Sequence, residues 1–293
     1  MDAAAQTLQA FASLPPAALI TLSVVFGCLI GSFLNVVAHR LPLMIEAEEA
    51  GGDASGLSLS YPASRCPDCG HSLSWYENIP LVSFLLQGGK CRHCGTGISW
   101  RYPMLEATAG VLAGLAVWQF GLSLHAAAIT AFLLALLALT AIDLDTGLLP
   151  DRITLPLLWL GLIAAAAGQG PAPASAILGA VIGYLTLDAL NRIARLLTGQ
   201  DGMGGGDMKM AAMMGAWLGP EALAVALFIA CASGAAYGVA MRLMGSSGSA
   251  LDDTDVPEGA MPFGPWLALG AAILALWPEV ADFAMQWVLY GSY

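Results

Sequence analysis

Residues 124–151 read LHAAAITAFLLALLALTAIDLDTGLLPD. Between Leu124 and Ile142 there is no Asp, Glu, Lys or Arg. A helix needs about 20 apolar residues to cross a hydrocarbon core of about 30 Å, so this run reads as a membrane span closed by a carboxylate, Asp143. Seven further runs of that kind flank it, at about 17–38, 104–121, 153–168, 174–190, 208–219, 222–241 and 262–280, punctuated by Gly, Pro or polar residues. The sixth in chain order, 208–219, is short, and is expected to be tilted, re-entrant or part of a longer span. No Lys or Arg precedes the first run, so it lacks the basic region of a secretory signal and reads as a retained anchor.

The composition agrees with this reading. Of 293 residues, 58% are hydrophobic and 11% charged, and mean hydropathy is +0.73. A soluble domain carries roughly a quarter charged residues. With ten Lys and Arg against 21 Asp and Glu, the net charge of -11 excludes a nucleic-acid binder that works by neutralising phosphates. The expected fold is an all-α polytopic membrane protein of about eight transmembrane helices with a zinc-stabilised cytoplasmic loop domain. It divides into an N-terminal anchor (1–38), a four-cysteine loop (39–103) and a membrane-embedded region (104–293).

Positive charges retained on the cytoplasmic side set the orientation. Alternating the eight spans puts Arg40, Arg65, Lys90, Arg92, Arg101, Arg152, Arg192, Arg195, Lys209 and Arg242 on one side, which is every Lys and Arg in the chain. Residues 39–103 are therefore expected in the cytoplasm and both termini on the opposite side.

The cytoplasmic loop carries Cys66-Pro67-Asp68-Cys69 and Cys91-Arg92-His93-Cys94, with 21 residues between the pairs. Each CxxC pair can present two thiolates on one turn, and two such knuckles complete a tetrahedral zinc site. Redox chemistry or disulfides are the alternatives, disfavoured where thiols stay reduced. A closed four-thiolate shell leaves no position for water, so this zinc is structural. His71 and His93 then read as polar loop residues, and Cys28 and Cys231 as small residues facing core or lipid.

Carboxylates in or beside spans are expensive to bury, which singles out Asp143, Asp207, Asp188 and Glu106. In this topology Asp143 and Asp207 both lie at the cytoplasmic face. Brought together, they would not both ionise easily, leaving an acid and a base around one water. Helix-end residues wetted by interfacial water are the alternative. The run Gly204-Gly205-Gly206 before Asp207 favours the first reading, because it removes side chains where backbone or an extended substrate must approach. Glu106, Asp145, Asp151 and Asp188 read as structural.

Several motifs occur together: Gly31-Ser32-Phe33-Leu34-Asn35-Val36-Val37 with Arg40-Leu41-Pro42, the knuckles flanking Glu77-Asn78-Ile79-Pro80, Ile98-Ser99-Trp100-Arg101-Tyr102-Pro103, Asp143, and Gly204-x-Gly206-Asp207. In this order they resemble the type IV prepilin peptidases over nearly the whole chain. The resemblance implies a bacterial inner-membrane aspartic peptidase of the GxGD class with Asp143 and Asp207 as its catalytic pair. It implies as substrates prepilins or type II secretion pseudopilins, cut after a glycine on the cytoplasmic side of their hydrophobic segment. The zinc loop marks the longer, bifunctional form, which methylates the new N-terminus with S-adenosyl-L-methionine, so residues 39–103 become the expected N-methyltransferase region and 104–293 the peptidase domain. No residue set in 39–103 independently reads as a methyl-donor pocket, and Glu46, Glu77 and Asn78 are no more than guesses for one. The partners implied are these pilin-like substrates and membrane lipid.

Two acidic patches, Glu46, Glu48 and Glu49, and Asp252, Asp253, Asp255 and Glu258, face the cytoplasm in this topology, where they would attract a basic leader or serve as solvated loops. The tail, with Phe283, Trp287 and Tyr290, suits an interfacial segment. The competing class is a zinc-stabilised scaffold or an ion or proton transporter whose carboxylates bind a cation.

Overall fold

In lipid each backbone polar group must be satisfied within its own segment, so apolar runs of this length form helices. The computed structural model describes residues 14–51, 56–199, 202–244 and 262–290. Among them are nine α-helices and no strand: α1 Pro16–Glu49, α2 Val82–Leu86, α3 Arg101–Phe120, α4 Leu124–Thr146, α5 Asp151–Ala166, α6 Pro173–Thr198, α7 Gly205–Leu243, α8 Gly264–Leu276 and α9 Glu279–Tyr290. Four of them, α1, α4, α6 and α7, are long and apolar enough to cross a membrane, and the bent pair α8–α9 makes a fifth if counted as one span. The protein is thus an all-α, multi-pass membrane protein. The count of eight spans is not fixed by these helices.

Two of the eight apolar runs, 208–219 and 222–241, lie on one element, α7. It contains Gly219 at φ 77°, ψ 172°, followed by Pro220, which lacks the N–H to continue the ladder. In a straight helix Leu227 would stand about 24 Å along the axis from Ala211. Instead Leu227 packs on the cluster formed by Leu187, Met208 and Ala211, so the chain turns back at Gly219. The last predicted run, 262–280, ends early: α8 stops at Leu276 and the chain bends by 101° into α9. The first run also differs, because α1 continues past residue 38 to Glu49 through Pro42. Buried Arg40 is satisfied there by the carbonyls of Ser58 and Pro62, at 2.8 and 2.7 Å.

The chain divides into two compact units, residues 1–138 and 139–293, with the boundary inside α4. In the first, α1 and α3 pack through small residues. A Cβ on Gly27 would lie 2.8 Å from Gly110 Cα, one on Gly31 2.8 Å from Glu106 Cα, and one on Gly114 2.7 Å from Val24 Cγ2. Between lipid-facing helices there is no hydrophobic drive to associate, and close backbone contact supplies dispersion energy in its place. Cys28 is part of this seam, buried against Gly110, whereas Cys231 is exposed. The second unit repeats the device. Gly179 and Gly183 of α6 sit on Gly215 and Ala211 of α7, and Gly270 of α8 sits on Ala226. Trp217 of α7 donates its Nε1–H to Leu157 O of α5 at 2.9 Å, over Gly161.

Candidate active site and metal centre

The cysteine module is built from two near-copies of one turn. In the first, Cys66 N–H donates to His71 O (2.9 Å) and Gly70 N–H to Cys66 O (3.0 Å); in the second, Cys91 N–H donates to Thr96 O (2.7 Å) and Gly95 N–H to Cys91 O (2.9 Å). Gly70 and Gly95 take φ +69° and +77°, the left-handed conformation glycine adopts without steric penalty. Isolated bridges Arg65–Ser72 and Lys90–Gly97 close the two turns. All four thiols are free. Cys66 Sγ lies 3.9 Å from Cys94 Sγ and Cys69 Sγ 4.0 Å from Cys91 Sγ, and all four lie within 4.8 Å of one another. Metal–sulfur bonds of about 2.3 Å in a tetrahedron give edges of about 3.8 Å, so the four cysteines are positioned to hold a metal ion. Hydrogen bonding to Thr96, whose Oγ1 lies 3.4 Å from Cys94 Sγ, holds the Cys94 thiol down at about 6, while Cys69, despite a backbone hydrogen bond at His71, is pushed up to about 12 by desolvation and its three thiol neighbours, so a metal bound here displaces protons from the cluster. His71 and His93 stack face to face at 5.1 Å beside the cluster.

The module is anchored to the α1–α3 pair by polar contacts. Glu106 of α3 accepts the N–H of Leu81 (2.8 Å), a residue at φ +62°, while Asn35 Nδ2 of α1 donates to Tyr102 O of α3 (3.2 Å) and ties the two helices together beneath it. The Ser74 N–H bonds to Glu77 at 2.8 Å and holds that carboxyl below its ordinary value; His71 Nε2 stands 3.6 Å from the same oxygen. Glu46 and Glu49 are exposed on the last turn of α1. The other acidic patch, Asp252, Asp253, Asp255 and Glu258, lies outside the described residues.

In the second unit the two singled-out aspartates lie near enough to act on each other electrostatically. Asp143, near the C-terminal end of α4, is 4% exposed, and its Oδ2 accepts the N–H of Gly264, the first residue of α8, at 2.9 Å. Asp207 is 9% exposed in the first turn of α7, where the backbone of Gly204 hydrogen-bonds to it. Each carboxylate thus occupies a helix N-terminus, where unpaired N–H groups and the helix dipole favour negative charge. The charge of Asp143 acts directly on Asp207.

The glycine run has three different surroundings. Gly204 caps α7 at φ −72°, ψ 151°, and a Cβ there would lie 3.5 Å from Asp207 Oδ2. Gly205 faces open space. A Cβ on Gly206 would lie 2.8 Å from Leu149 Cβ, so what approaches closely at that position is the chain's own α4–α5 turn. None of the three adopts a left-handed φ. Leu149 also lies against Gly264, where a Cβ would meet its Cδ2 at 3.1 Å and Asp143 Oδ2 at 2.6 Å.

The neighbouring charges are paired. Lys209 Nζ contacts both oxygens of Asp151, at 2.8 and 2.7 Å, joining the start of α5 to the first turn of α7. Asp188 pairs with Arg192 at 2.8 Å, and Asn191 Oδ1 accepts the N–H groups of Gly202 (2.9 Å) and Met203 (3.0 Å), holding the segment that leads into α7. Gly264, Leu149 and Asn191 carry no local signature by which sequence alone would pick them out.

Two family models match the chain, the Bacterial Peptidase A24 N-terminal domain over residues 25–120 and the Type IV leader peptidase family over residues 130–239. No solved structure matches. Curated relatives named prepilin leader peptidase/N-methyltransferase include one from Burkholderia pseudomallei (strain 1026b), 43% identical over 92% of this chain and 89% of the relative. Others are from Stutzerimonas stutzeri, 41% identical over 90% and 92%, and from Pseudomonas aeruginosa, 42% identical over the same shares. Matched by these models over residues 25–120 and 130–239, and by named relatives over about nine-tenths of its length, this chain belongs to the type IV leader peptidase family.

Proposed function

We propose that the chain is a membrane aspartic endopeptidase that removes the leader of type IV prepilins or type II secretion pseudopilins after a glycine, and then N-methylates the new terminus. The observation that supports the peptidase half is that Asp143 and Asp207 are both buried, each at a helix N-terminus, with the charge of one felt by the other. In this reading the ionised aspartate takes a proton from water as it attacks the scissile carbonyl, and its partner donates to the carbonyl oxygen. The substrate's apolar segment lies beside the spans and its leader stays in the cytoplasm. Open space at Gly205 gives an extended chain access next to Asp207, with Gly204 and Gly206 keeping the backbone of that turn slim.

The protein sits in the bacterial inner membrane with the active site facing the cytoplasm and both termini in the periplasm, as the one-sided distribution of all ten Lys and Arg supports. The ion is zinc, held by Cys66, Cys69, Cys91 and Cys94, which would fold the loop without activating water. S-adenosyl-L-methionine, when bound, supplies the methyl group for the new N-terminus. The scaffold or transporter reading is not favoured, since relatives covering nine-tenths of the chain are named as peptidase and methyltransferase together.

The test is incubation of the purified protein with a prepilin and S-adenosyl-L-methionine, followed by mass measurement of the product. Leader loss plus one methyl group is expected. Leader loss alone removes the methyltransferase half, and an unchanged mass removes both.

A further inference from the structure

Among residues 72–89 the only Asp, Glu, Lys or Arg is Glu77, and its side chain is 3% exposed and bonded to the Ser74 N–H. What the segment shows to its surroundings is apolar. Trp75 is 81% exposed, Leu85 72% and Leu86 83%, and Val82 is exposed with them. In α2 only Phe84 is buried. It packs edge-on against the ring of Trp100 at 4.8 Å, so exposed Trp100, next to the start of α3, belongs to the same surface. A patch of this kind on the outside of a folded module marks something that covers it.

The helices beneath the module set its depth. α1 and α3 run antiparallel, with Gly27 on Gly110, Gly31 on Glu106 and Asn35 bonded to Tyr102. Asn35 stands about 28 Å along the axis from Pro16, the start of α1, which is close to the roughly 30 Å of hydrocarbon a span crosses. The helix pair thus leaves the hydrocarbon at the level of Asn35 and Tyr102. Glu106 lies about one turn below that level, and its carboxylate holds the N–H of Leu81, the residue before α2. The apolar surface therefore begins where the lipid headgroups begin. Its charge fits that place. Residues 56–101 carry Arg65, Lys90, Arg92 and Arg101, all exposed, against one exposed acid, Asp68, in a chain whose net charge is -11.

We infer that α2, Trp75 and Trp100 form a membrane-surface face that seats the cysteine module on the anionic headgroup region of the bilayer around α1 and α3. Val82, Leu85 and Leu86 enter the acyl boundary and the indoles lie at headgroup level, where amphipathic rings are favoured. Lys90 and Arg92 meet the lipid phosphates. Only four residues, 87–90, separate α2 from Cys91, so the metal cluster is held close to the lipid surface. This seating is independent of the reaction the chain performs.

The test uses the full chain, one copy per nanodisc of phosphatidylethanolamine and phosphatidylglycerol. A phospholipid with a photoactivatable group at the glycerol end of its acyl chain is included, and labelled peptides are mapped after illumination. The expected result is label in residues 75–89 as well as in α1. In the double variant Leu85→Glu with Leu86→Glu, label in 75–89 should fall at least about fivefold while label in α1 and zinc content stay unchanged. Label in α1 with none in 75–89 overturns the inference, and is what a face reserved for a pilin-like substrate or a second copy would give. Label in 75–89 that the double variant leaves unchanged overturns it too. If the variant loses its zinc, the label map of the unaltered chain decides.

Discussion

The cysteine cluster and the aspartate pair are assembled in opposite ways. All four thiols come from residues 66–94, and each knuckle is closed by hydrogen bonds within a few positions. Asp143 and Asp207 come from the ends of separate helices, and Asp143 is held by a backbone N–H 121 positions away at Gly264. The first site is a local turn made twice; the second exists only when α4, α7 and α8 pack correctly. One tolerates change elsewhere in the chain, and the other inherits every error in helix packing.

The sharpest way to separate them is to remove one chemistry and leave the other. Asp143→Asn and Asp207→Asn are each expected to lower leader cleavage by at least about a thousandfold, with zinc content by metal analysis unchanged. Full processing by either variant would remove the aspartate assignment. Next in size, Cys66→Ser combined with Cys91→Ser should abolish metal binding and melt the module, since a structural zinc contributes its folding energy outright. Protease digestion should then cut within 56–99 first. A module that stays resistant without metal would break the local half of the comparison.

A subtler change strikes the assembled site alone. Gly264→Ala places a methyl group 2.6 Å from Asp143 Oδ2, and displacing a reacting group by about 1 Å costs on the order of a hundredfold in rate. Its leader cleavage should fall by about that factor while the protein stays folded; cleavage at the unaltered rate would show that the Gly264 contact does not position Asp143. The smallest effect belongs to Lys209 and Asp151, a partly exposed pair worth about 1 kcal/mol or less. Asp151→Asn should slow cleavage by less than about fivefold, and exchanging the two charges should restore most of the loss.

The sequence made the local features readable. The apolar runs announce helices because lipid permits little else, the CxxC spacing announces a metal site, and charged residues in an uncharged setting stand out as Asp143 and Asp207 do. The reversal inside α7 is marked by Gly219-Pro220, although on length and hydropathy the two halves count as one helix. Partners across the fold were not readable. Gly264 is one glycine among 34, and nothing near it in the sequence indicates that its N–H holds the Asp143 carboxylate. Likewise Gly27, Gly31, Gly110 and Gly114 form the α1–α3 seam only once the two helices are set face to face.

Leu149 touches Gly206 on one side and Gly264 on the other. Enlarging either glycine pushes on the same side chain, so the two substitutions compete for one displacement and their effects will not sum. The surroundings of the two aspartates are therefore epistatic. A substitution at one of these glycines therefore changes what a substitution at the other costs, through the position of Leu149.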